Sequence, residues 1–279
     1  MRPLLVFLSA RLFGETKASA YHAAVLIELM HTATLIHDDV VDDSDKRRGF
    51  LSINSVWKNK IAVLVGDYFL AKGLLLSVDK NEYELLRIMS DAVKEMSEGE
   101  ILQIRQSRKL SITEEQYFEI IRKKTAALIS ACASCGAKSV GASDEDVRQM
   151  AQFGENIGIA FQIKDDLLDY QIKTSTGKPS GNDLKEKKIT LLLIYSLQHS
   201  SNQERKNILS IINKGKTNNK EKEFENFISF ITSKGGIEYS TLKMNEFKDK
   251  ALQILDQYPD NPSKISLKEF ALFTIDRKQ

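Results

Sequence analysis

Residues that break helices are scarce in this chain, which has only 4 prolines and 14 glycines among 279 residues. Alternating apolar and polar runs bounded by turn residues, which are typical of strands, are also missing. These shortages exclude β-sandwiches and barrels, and they predict an all-α fold. Helix-like patterns cover about residues 21–36, 61–77, 81–107, 113–139, 143–170, 186–198, 222–233, 237–257 and 264–275.

Several helix starts and loops can be placed within that outline. Ser111 or Thr113, and Ser143, each precede acidic residues, which is typical of capped helix starts. Residues 21–36 are apolar nearly all round, and this pattern predicts a helix buried inside a bundle. Residues 200–222, rich in Ser, Asn and Lys, are predicted to form a solvated connection.

Cysteine and net charge are low as well. The 2 cysteines, Cys132 and Cys135, form a lone C-x-x-C pattern, which supplies at most half of a zinc site. They are predicted to be small, reduced core residues of a cytosolic protein. The formal net charge is only +2, so nothing indicates a general affinity for nucleic acids.

Apolar segments long enough to cross a membrane are also lacking. No apolar run approaches the ~18–20 residues needed to span a bilayer. Residues 1–10 are mostly apolar, but this stretch has almost no basic n-region and is followed by Arg11, which argues against an export signal. We therefore expect a cytoplasmic protein with no transmembrane segment.

Two acidic clusters of the same design are the most informative residues that are present. Each ends an apolar, helix-like run, and they read Asp38-Asp39-Val40-Val41-Asp42 and Asp165-Asp166-Leu167-Leu168-Asp169. In a helix, residues four apart share a face, so the first and last aspartates of each cluster would point the same way. Crowded carboxylates beside apolar side chains repel one another, and a divalent cation relieves that repulsion. One such cluster is often only a solvated face, but two copies indicate a pair of metal sites.

Basic residues follow both clusters in polar, irregular stretches. Aspartate oxygens are hard ligands suited to Mg²⁺, which usually binds a few carboxylates together with substrate phosphates. An EF-hand is excluded because Ser44 and Phe50 stand where it needs glycine and glutamate. The Glu-x-x-His pairs of a di-iron bundle are missing too. The cations are Arg47 and Arg48 after the first cluster, and Lys178, Lys185, Lys187 and Lys188 after the second.

These residue types fit the metal-assisted departure of diphosphate from a carbon that can bear positive charge. Mg²⁺ would act as a Lewis acid on the leaving oxygens, and fixed cations would stabilise the released charge. The carbocation left behind needs a dry apolar cavity, and residues 21–36 could supply one wall of it. The residues alone therefore predict Mg²⁺-dependent diphosphate chemistry in a helical bundle.

The same residues resemble the trans-polyprenyl diphosphate synthases, in particular the long-chain octaprenyl and solanesyl branch. Residues 31–50, which contain the first cluster, are similar to that family's first aspartate-rich motif. Residues 158–170 are similar to its second motif. The resemblance runs from Arg2 to about Tyr239, and further motifs match in order and spacing at residues 59–68, 99–103 and 124–126.

The resemblance implies an isoprenoid synthase fold, an antiparallel helical bundle around a central cavity, in a single domain over residues 1–279. It implies head-to-tail condensation of isopentenyl diphosphate onto farnesyl or geranyl diphosphate, with about three Mg²⁺ per active site. The released diphosphate would take the final proton, so His31 and His37 are expected to be structural. The expected partners are the two diphosphates and a second copy in a homodimer, with a loose membrane contact for product release.

Each site residue has a role that the resemblance implies. The Mg²⁺ ligands would be Asp38, Asp39, Asp42, Asp165, Asp166 and Asp169. The diphosphate-binding residues would be Arg47, Asn54, Gln103, Lys124, Lys178 and Lys188, joined by Arg2 and Arg48 for isopentenyl diphosphate. Thr125 and Gln162 would present oxygen dipoles to the allylic cation.

Two features of the chain bear on substrate and product. The family's basic run near the N-terminus is represented only by its last arginine, Arg2, and we expect one or two N-terminal helices of the family pattern to be missing. Either the sequence is shortened relative to the natural protein, or its binding of isopentenyl diphosphate is impaired. Beneath Asp38, Ala33 and Thr34 stand where shorter-chain relatives often carry a bulky aromatic residue. Together with Met30 they are predicted to set the chain length, and their size favours a product of about C30 or longer.

Two alternatives are open on the sequence. A class I terpene cyclase shares the implied fold, but it typically pairs one DDxxD cluster with a different metal motif. A non-catalytic or regulatory subunit of a prenyl synthase usually loses aspartates, whereas all six are present here. The reduced N-terminal pocket is the feature that favours the second alternative.

Overall fold

Helices account for nearly all of the described chain. The computed structural model describes residues 1–42, 46–47, 50–107, 112–170, 189–214 and 220–276. The helices are α1 (Arg2–Phe13), α2 (Ala18–Val41), α3 (Ile53–Asp79), α4 (Tyr83–Ser107), α5 (Glu114–Ile121), α6 (Ala127–Val140), α7 (Asp144–Asp169), α8 (Leu191–Gln198), α9 (Asn202–Lys214), α10 (Lys220–Ser233), α11 (Gly236–Asp256) and α12 (Pro262–Asp276). The prediction of an all-α protein is confirmed.

Two further elements are short. A π-helical turn, Arg122–Ala126, joins α5 to α6. Two-residue strands, β1 (Lys46–Arg47) and β2 (Phe50–Leu51), pair antiparallel between α2 and α3. Such a small ladder carries no core of its own, so it does not alter the fold class.

The chain divides into two compact units. Unit 1 comprises Met1–Glu95, Ala127–Gly154 and Ile254–Lys268, and unit 2 comprises Met96–Ala126, Glu155–Gln253 and Glu269–Gln279. The expectation of a single domain over residues 1–279 stays a prediction.

Unit 1 is built on α2, which packs against α1, α3 and α6. Helix α1, which was not among the predicted helices, lies so close to α6 that a Cβ on Gly136 would collide with the carbonyl oxygen of Val6. Tyr21 and Val25 of α2 are 59% and 50% exposed. The prediction that residues 21–36 are buried all round was therefore wrong for this face of the helix.

The two cysteines of α6 also belong to unit 1. Cys132 and Cys135 are both buried and unpaired. Burial raises the pKa of the Cys132 thiol to about 12, so the thiol stays protonated and unreactive near neutral pH. The prediction that they are core residues is confirmed.

Unit 2 contains α8, which packs against α5 and α10. Its first four residues, Leu191–Ile194, are all buried, as expected of a helix that is apolar all round. The start of α11 lies close by, since a Cβ on Gly236 would be 2.6 Å from the carbonyl oxygen of Leu192. The hydroxyl of Tyr239 donates to Glu114 Oε1 at 2.7 Å and so ties α11 to the start of α5.

The predicted helix starts at Thr113 and Ser143 are confirmed. Thr113 and Gln116 form a reciprocal capping box at the start of α5. Ser143 Oγ accepts a hydrogen bond from the backbone N–H of Asp146 at 3.1 Å. Ser111, the other candidate, lies outside the described residues.

The predicted connection at residues 200–222 was wrong, because α9 and the start of α10 lie within it. Ser201 and Glu204 supply the start of α9. Glu204 Oε2 accepts from the backbone N–H of Ser201 at 2.8 Å, and the Ser201 hydroxyl accepts from the N–H of Glu204 at 3.3 Å. This capping box offsets the weak apolar content that pointed to a loop.

Helix α3 differs from its prediction in extent and in hydropathy. It begins at Ile53 rather than near residue 61, and the Ser52 hydroxyl caps its first turn. By length and composition alone it could cross a membrane, and only 22% of its most apolar 18 residues are buried. No apolar run of that length was found in the sequence, because Asp67 and Lys72 interrupt this one.

Candidate active site

The first acidic cluster occupies the C-terminal turn of α2 in unit 1. Asp38 is half-buried, Asp39 is 5% exposed, and Asp42 is the exposed C-cap, whose N–H donates to the Asp38 carbonyl oxygen at 2.8 Å. A helix C-terminus carries partial negative charge, so three carboxylates there are electrostatically unfavourable. The last turn of α2 contains no basic residue. A bound cation would offset this charge.

His37 lies beside the cluster and is held by α3. Its Nε2 is 3.2 Å from the carbonyl oxygen of Val63 and 3.5 Å from Asp67 Oδ1. A Cβ on Gly66 would collide with the imidazole ring, so the ring fills the space that this glycine leaves. These contacts support the structural role expected of His37.

Arg2 lies far from the cluster along α2. Its guanidinium pairs bidentately with Glu28, at 2.9 Å from Nε to Oε1 and 3.2 Å from NH2 to Oε2. Glu28 precedes Asp38 by ten residues of continuous helix, or about 15 Å along the axis. The structure therefore brings Arg2 to the middle of α2 and not to the first aspartate cluster.

The three chain-length residues line one side of α2 below the cluster. Ala33 is fully buried and Met30 is 5% exposed. Thr34 is half-buried, and its hydroxyl donates to the carbonyl oxygen of His31 at 2.8 Å within the helix. A Cβ on Gly73 of α3 would lie 3.1 Å from the Met30 sulfur, so this level of the helix pair is tightly packed.

The second acidic cluster occupies the C-terminal turn of α7 in unit 2. Asp165 and Asp169 are half-buried, whereas Asp166 is 1% exposed. The last turn of α7 contains no basic residue, as in α2. In both clusters the second aspartate is therefore buried, while the first and last are accessible to a ligand.

A chain of hydrogen bonds connects the second cluster to the π-helical turn. The Thr125 hydroxyl donates to Gln162 Oε1 at 2.8 Å, and Gln162 Nε2 donates to Asp166 Oδ1 at 3.0 Å. The hydroxyl of Tyr117, which is 3% exposed, donates to Asp166 Oδ2 at 2.8 Å. The pairing of Thr125 with Gln162, which the resemblance grouped by role, is thus also a direct contact.

Sequence reasoning missed Tyr117. It shares a helix face with Ile120 and Ile121, and that pattern predicts an apolar core position. A buried tyrosine usually finds a hydrogen-bond partner for its hydroxyl, but sequence could not say that the partner would be Asp166.

The π-helical turn positions Lys124 as well as Thr125. The Lys124 ammonium lies 2.5 Å from Glu100 Oε2 and 3.3 Å from Gln103 Oε1, so two residues of the predicted 99–103 motif hold it. A Cβ on Gly99 would lie 2.8 Å from the backbone nitrogen of Lys124. The close approach of α4 supports the turn, and π-helical turns are frequent at functional sites.

Four predicted diphosphate ligands cannot be located by their side chains. Arg48, Lys178 and Lys188 lie outside the described residues, and only the backbone of Arg47 is described, in β1. Asn54 is 7% exposed in the first turn of α3, and its Oδ1 is buried without a hydrogen-bond partner.

The donor set fits a divalent cation shared with substrate. Among the described residues, no group of three or more His, Cys, Asp or Glu side chains could enclose a metal ion by itself. Mg²⁺ prefers one or two carboxylates completed by phosphate oxygens and water. Asp38 with Asp42, and Asp165 with Asp169, offer hard oxygen ligands of this kind at two helix ends.

The fold is that of prenyl synthases of known structure. The decaprenyl diphosphate synthase from Rhodobacter capsulatus matches with a TM-score of 0.93 and 37% sequence identity, over 100% of this chain and 85% of that one. A likeness of this extent and identity defines the class as isoprenoid synthase.

The particular family follows from the sequence comparisons. The sequence model of the polyprenyl synthetase family matches residues 1–230. Octaprenyl diphosphate synthase from Escherichia coli (strain K12) is 35% identical over 278 residues, 99% of this chain and 85% of the relative. The chain belongs to the polyprenyl synthetase family, and it is a trans-prenyl diphosphate synthase, a prenyltransferase of isoprenoid biosynthesis.

Two further solved structures bear on ligands and products. A polyprenyl synthase from Caulobacter crescentus CB15, complexed with calcium and isoprenyl diphosphate, matches with a TM-score of 0.89 and 35% identity over 100% of this chain and 84% of that one. A geranylgeranyl pyrophosphate synthase from Bacteroides thetaiotaomicron is 39% identical, with a TM-score of 0.85, over 99% of this chain and 87% of that one. The family uses a divalent metal and isoprenyl diphosphates, and its members differ in product length.

Proposed function

We propose that this synthase condenses isopentenyl diphosphate onto farnesyl or geranyl diphosphate, with Mg²⁺, to make a product of about C30 or longer. The observation that carries the proposal is the placement of both aspartate clusters at the negative ends of α2 and α7, where neither last turn holds a basic residue. The partial negative charge of a helix C-terminus favours the binding of a cation beside these carboxylates. In an enzyme that processes diphosphates, this cation would arrive together with the diphosphate substrate.

The accessible aspartates would hold about three Mg²⁺ against the allylic diphosphate. When bound, the ions would act as Lewis acids on the leaving diphosphate. Asp39 and Asp166 are more deeply buried and would support the neighbouring ligands. Lys124 would exchange Glu100 for a diphosphate oxygen, and Arg2 would exchange Glu28 for isopentenyl diphosphate. The other basic and amide ligands of the two diphosphates would be Arg47, Arg48, Asn54, Gln103, Lys178 and Lys188.

Thr125 and Gln162 would face the allylic carbon with oxygen atoms. The single hydroxyl proton of Thr125 is donated to Gln162, so the remaining capacity of Thr125 Oγ1 is that of an acceptor. An acceptor lone pair is the dipole that stabilises a developing carbocation. The same carbocation requires that water be excluded from the productive site, and the apolar residues of α2 would supply one wall of a dry cavity.

A prenyl-transfer assay tests the central proposal. The protein is incubated with farnesyl diphosphate, labelled isopentenyl diphosphate and Mg²⁺, and the extracted prenols are sized by chromatography. We expect a ladder that ends in one long prenol and disappears with a chelator. No incorporation by this chain or by one extended at its N-terminus would favour a non-catalytic subunit, and a cyclised hydrocarbon without diphosphate would favour a terpene cyclase.

Product length is the finer part of the proposal, and two substitutions on α2 test it. Ala33→Phe and Thr34→Phe each add a ring one turn below Asp38, so the one that faces the growing chain should shorten the product by one or more isoprene units. Thr34 is half-buried while Ala33 and Met30 are enclosed, so Thr34→Phe should perturb packing less. An unchanged product from both folded variants would remove this level of α2 as the gate.

We also infer a homodimer formed through α3. Residues at heptad spacing on this helix are exposed: Ile61 (43%), Leu64 (61%), Tyr68 (58%), Leu75 (54%) and Val78 (49%). The opposite face, which includes Gly66 and Gly73, packs on α2. An apolar stripe on a helix already packed on its other side is typical of an interface between copies. We further propose that the enzyme is cytoplasmic and contacts a membrane loosely when it releases its apolar product.

A further inference from the structure

Tyr117 is the buried tyrosine of unit 2 whose hydroxyl meets an aspartate of the second cluster. The hydroxyl donates to Asp166 Oδ2 at 2.8 Å, and the aspartate is 1% exposed. Hydrogen bonds to a buried charge are stronger than neutral ones, and their loss leaves the charge poorly solvated. The contact therefore fixes both the tyrosine and the carboxylate.

Asp166 sets the direction of the hydrogen bonds that run from Thr125 through Gln162 to its carboxylate. A carboxylate can only accept, so the amide of Gln162 must turn its NH2 group toward Asp166 and its carbonyl oxygen toward Thr125. The Thr125 hydroxyl then donates to that oxygen at 2.8 Å. Each step follows from the one before, and the result is a Thr125 oxygen that keeps only acceptor capacity.

We propose that Tyr117 is a positioning residue, which holds Asp166 so that Gln162 and Thr125 present oxygen lone pairs to the allylic cation. This inference rests on the proposed function. Tyr117 contacts Asp166, and its effect would reach the reacting carbon through three side chains, those of Asp166, Gln162 and Thr125. The π-helical turn that carries Thr125 is held from the other side by Gly158 of α7, where a Cβ would lie 2.5 Å from Ala126 Cα.

The test compares a rate with an affinity in Tyr117→Phe, which removes the hydroxyl and keeps the ring. The rate is the single-turnover first condensation of farnesyl diphosphate with isopentenyl diphosphate. The affinity is that of farnesyl thiodiphosphate, a non-ionising analogue, measured with Mg²⁺ by calorimetry. We expect the rate to fall about 10–100-fold, as for other partners that orient a site ligand, while the affinity changes less than about threefold.

Tyr239→Phe is the matched control. It removes another tyrosine–carboxylate hydrogen bond that involves α5, the bond from Tyr239 of α11 to Glu114 at 2.7 Å. We expect its condensation rate to stay near the wild-type value, even if both variants lose similar thermal stability. A comparable loss of rate in the two variants would reduce Tyr117 to a packing residue.

A double-mutant cycle with Thr125→Val tests the route of the effect. If Tyr117 acts through Gln162 and Thr125, the double variant should be about as slow as Thr125→Val alone. Multiplicative losses, an unchanged rate in Tyr117→Phe, or an affinity loss equal to the rate loss would each overturn the inference. Failure of the wild-type chain to form any product would instead overturn the proposed function, with the inference following it.

Discussion

At the scale of single residues, Lys58 is the clearest point of backbone strain. It lies inside α3 with φ 67° and ψ 166°, a region that is essentially accessible only to glycine. Its side chain is exposed, so the substitution Lys58→Gly removes no buried contact. We expect this variant to be more stable by about 1 kcal/mol, since relief of about 1–3 kcal/mol of strain exceeds the entropic cost of a new glycine.

Lys60→Gly provides the control for that substitution. Lys60 is exposed two residues further along the same helix and is not among the residues with positive φ. Glycine there should destabilise the protein by about 1 kcal/mol. Thermal unfolding of both variants gives the comparison, and shifts of the same sign would contradict the assignment of strain to Lys58.

The site residues show how far sequence reasoning reaches at this scale. The apolar, helix-like run before each cluster predicted that both clusters end helices, and in a helix carboxylates four apart share a face. The sequence could not predict that Asp39 and Asp166 are buried while their neighbours are accessible, because that depends on which face the rest of the unit covers. Nor could the sequence identify Tyr117, because a tyrosine on an apolar helix face reads as a core residue whatever partner its hydroxyl has.

At the scale of elements, the contact between α7 and the π-helical turn depends on a missing side chain. A Cβ on Gly158 would lie 2.5 Å from Ala126 Cα and 2.8 Å from its Cβ. Gly158→Ala should therefore force the turn away, lower stability by about 1–3 kcal/mol and slow condensation by displacing Thr125. Thermal unfolding and the single-turnover assay together measure both effects.

Gly14→Ala is the matched substitution at an open position. No heavy atom outside its neighbours lies within 4 Å of the added Cβ, and φ 170° is extended backbone that any residue adopts. Its stability should stay within about 0.5 kcal/mol of the wild type. An equal loss in both variants would mean that glycine freedom, and not close approach, matters at Gly158.

Helix α9 and the start of helix α3 show why some elements were not predicted from the sequence. The segment 200–222 is polar, and its helix depends on a Ser201–Glu204 capping box that a count of apolar residues does not register. The start of α3 is separated from the rest of the helix by a kink at Lys58, whose backbone is not helical, so the predicted helix covered only the part after the kink. In both places local hydrogen bonding and backbone geometry outweigh hydrophobic periodicity.

At the scale of the whole molecule, sequence predicted the fold class better than the packing of its helices. The scarcity of proline and glycine, together with the lack of alternating apolar and polar runs, was enough to exclude β-sandwiches and barrels. The partners of α3 were not predictable, because this helix is apolar on two opposite faces. One face packs on α2 through small residues, and the other is exposed. A helix of that kind needs a second covering surface, since exposed stripes of Ile, Leu, Tyr and Val favour association.

The last prediction concerns that surface. Leu64→Glu places a charge on the stripe, and a two-fold axis would bring it into the interface twice. We expect the apparent dissociation constant of the dimer to rise about 100-fold or more, so that light scattering after size exclusion reports a monomer at micromolar concentration. Leu242→Glu, at a residue of α11 that is 53% exposed, is the control and should leave the dimer intact. If Leu64→Glu stays dimeric, the interface lies elsewhere, and if the wild type is already a monomer that floats with anionic vesicles, the stripe meets a membrane instead.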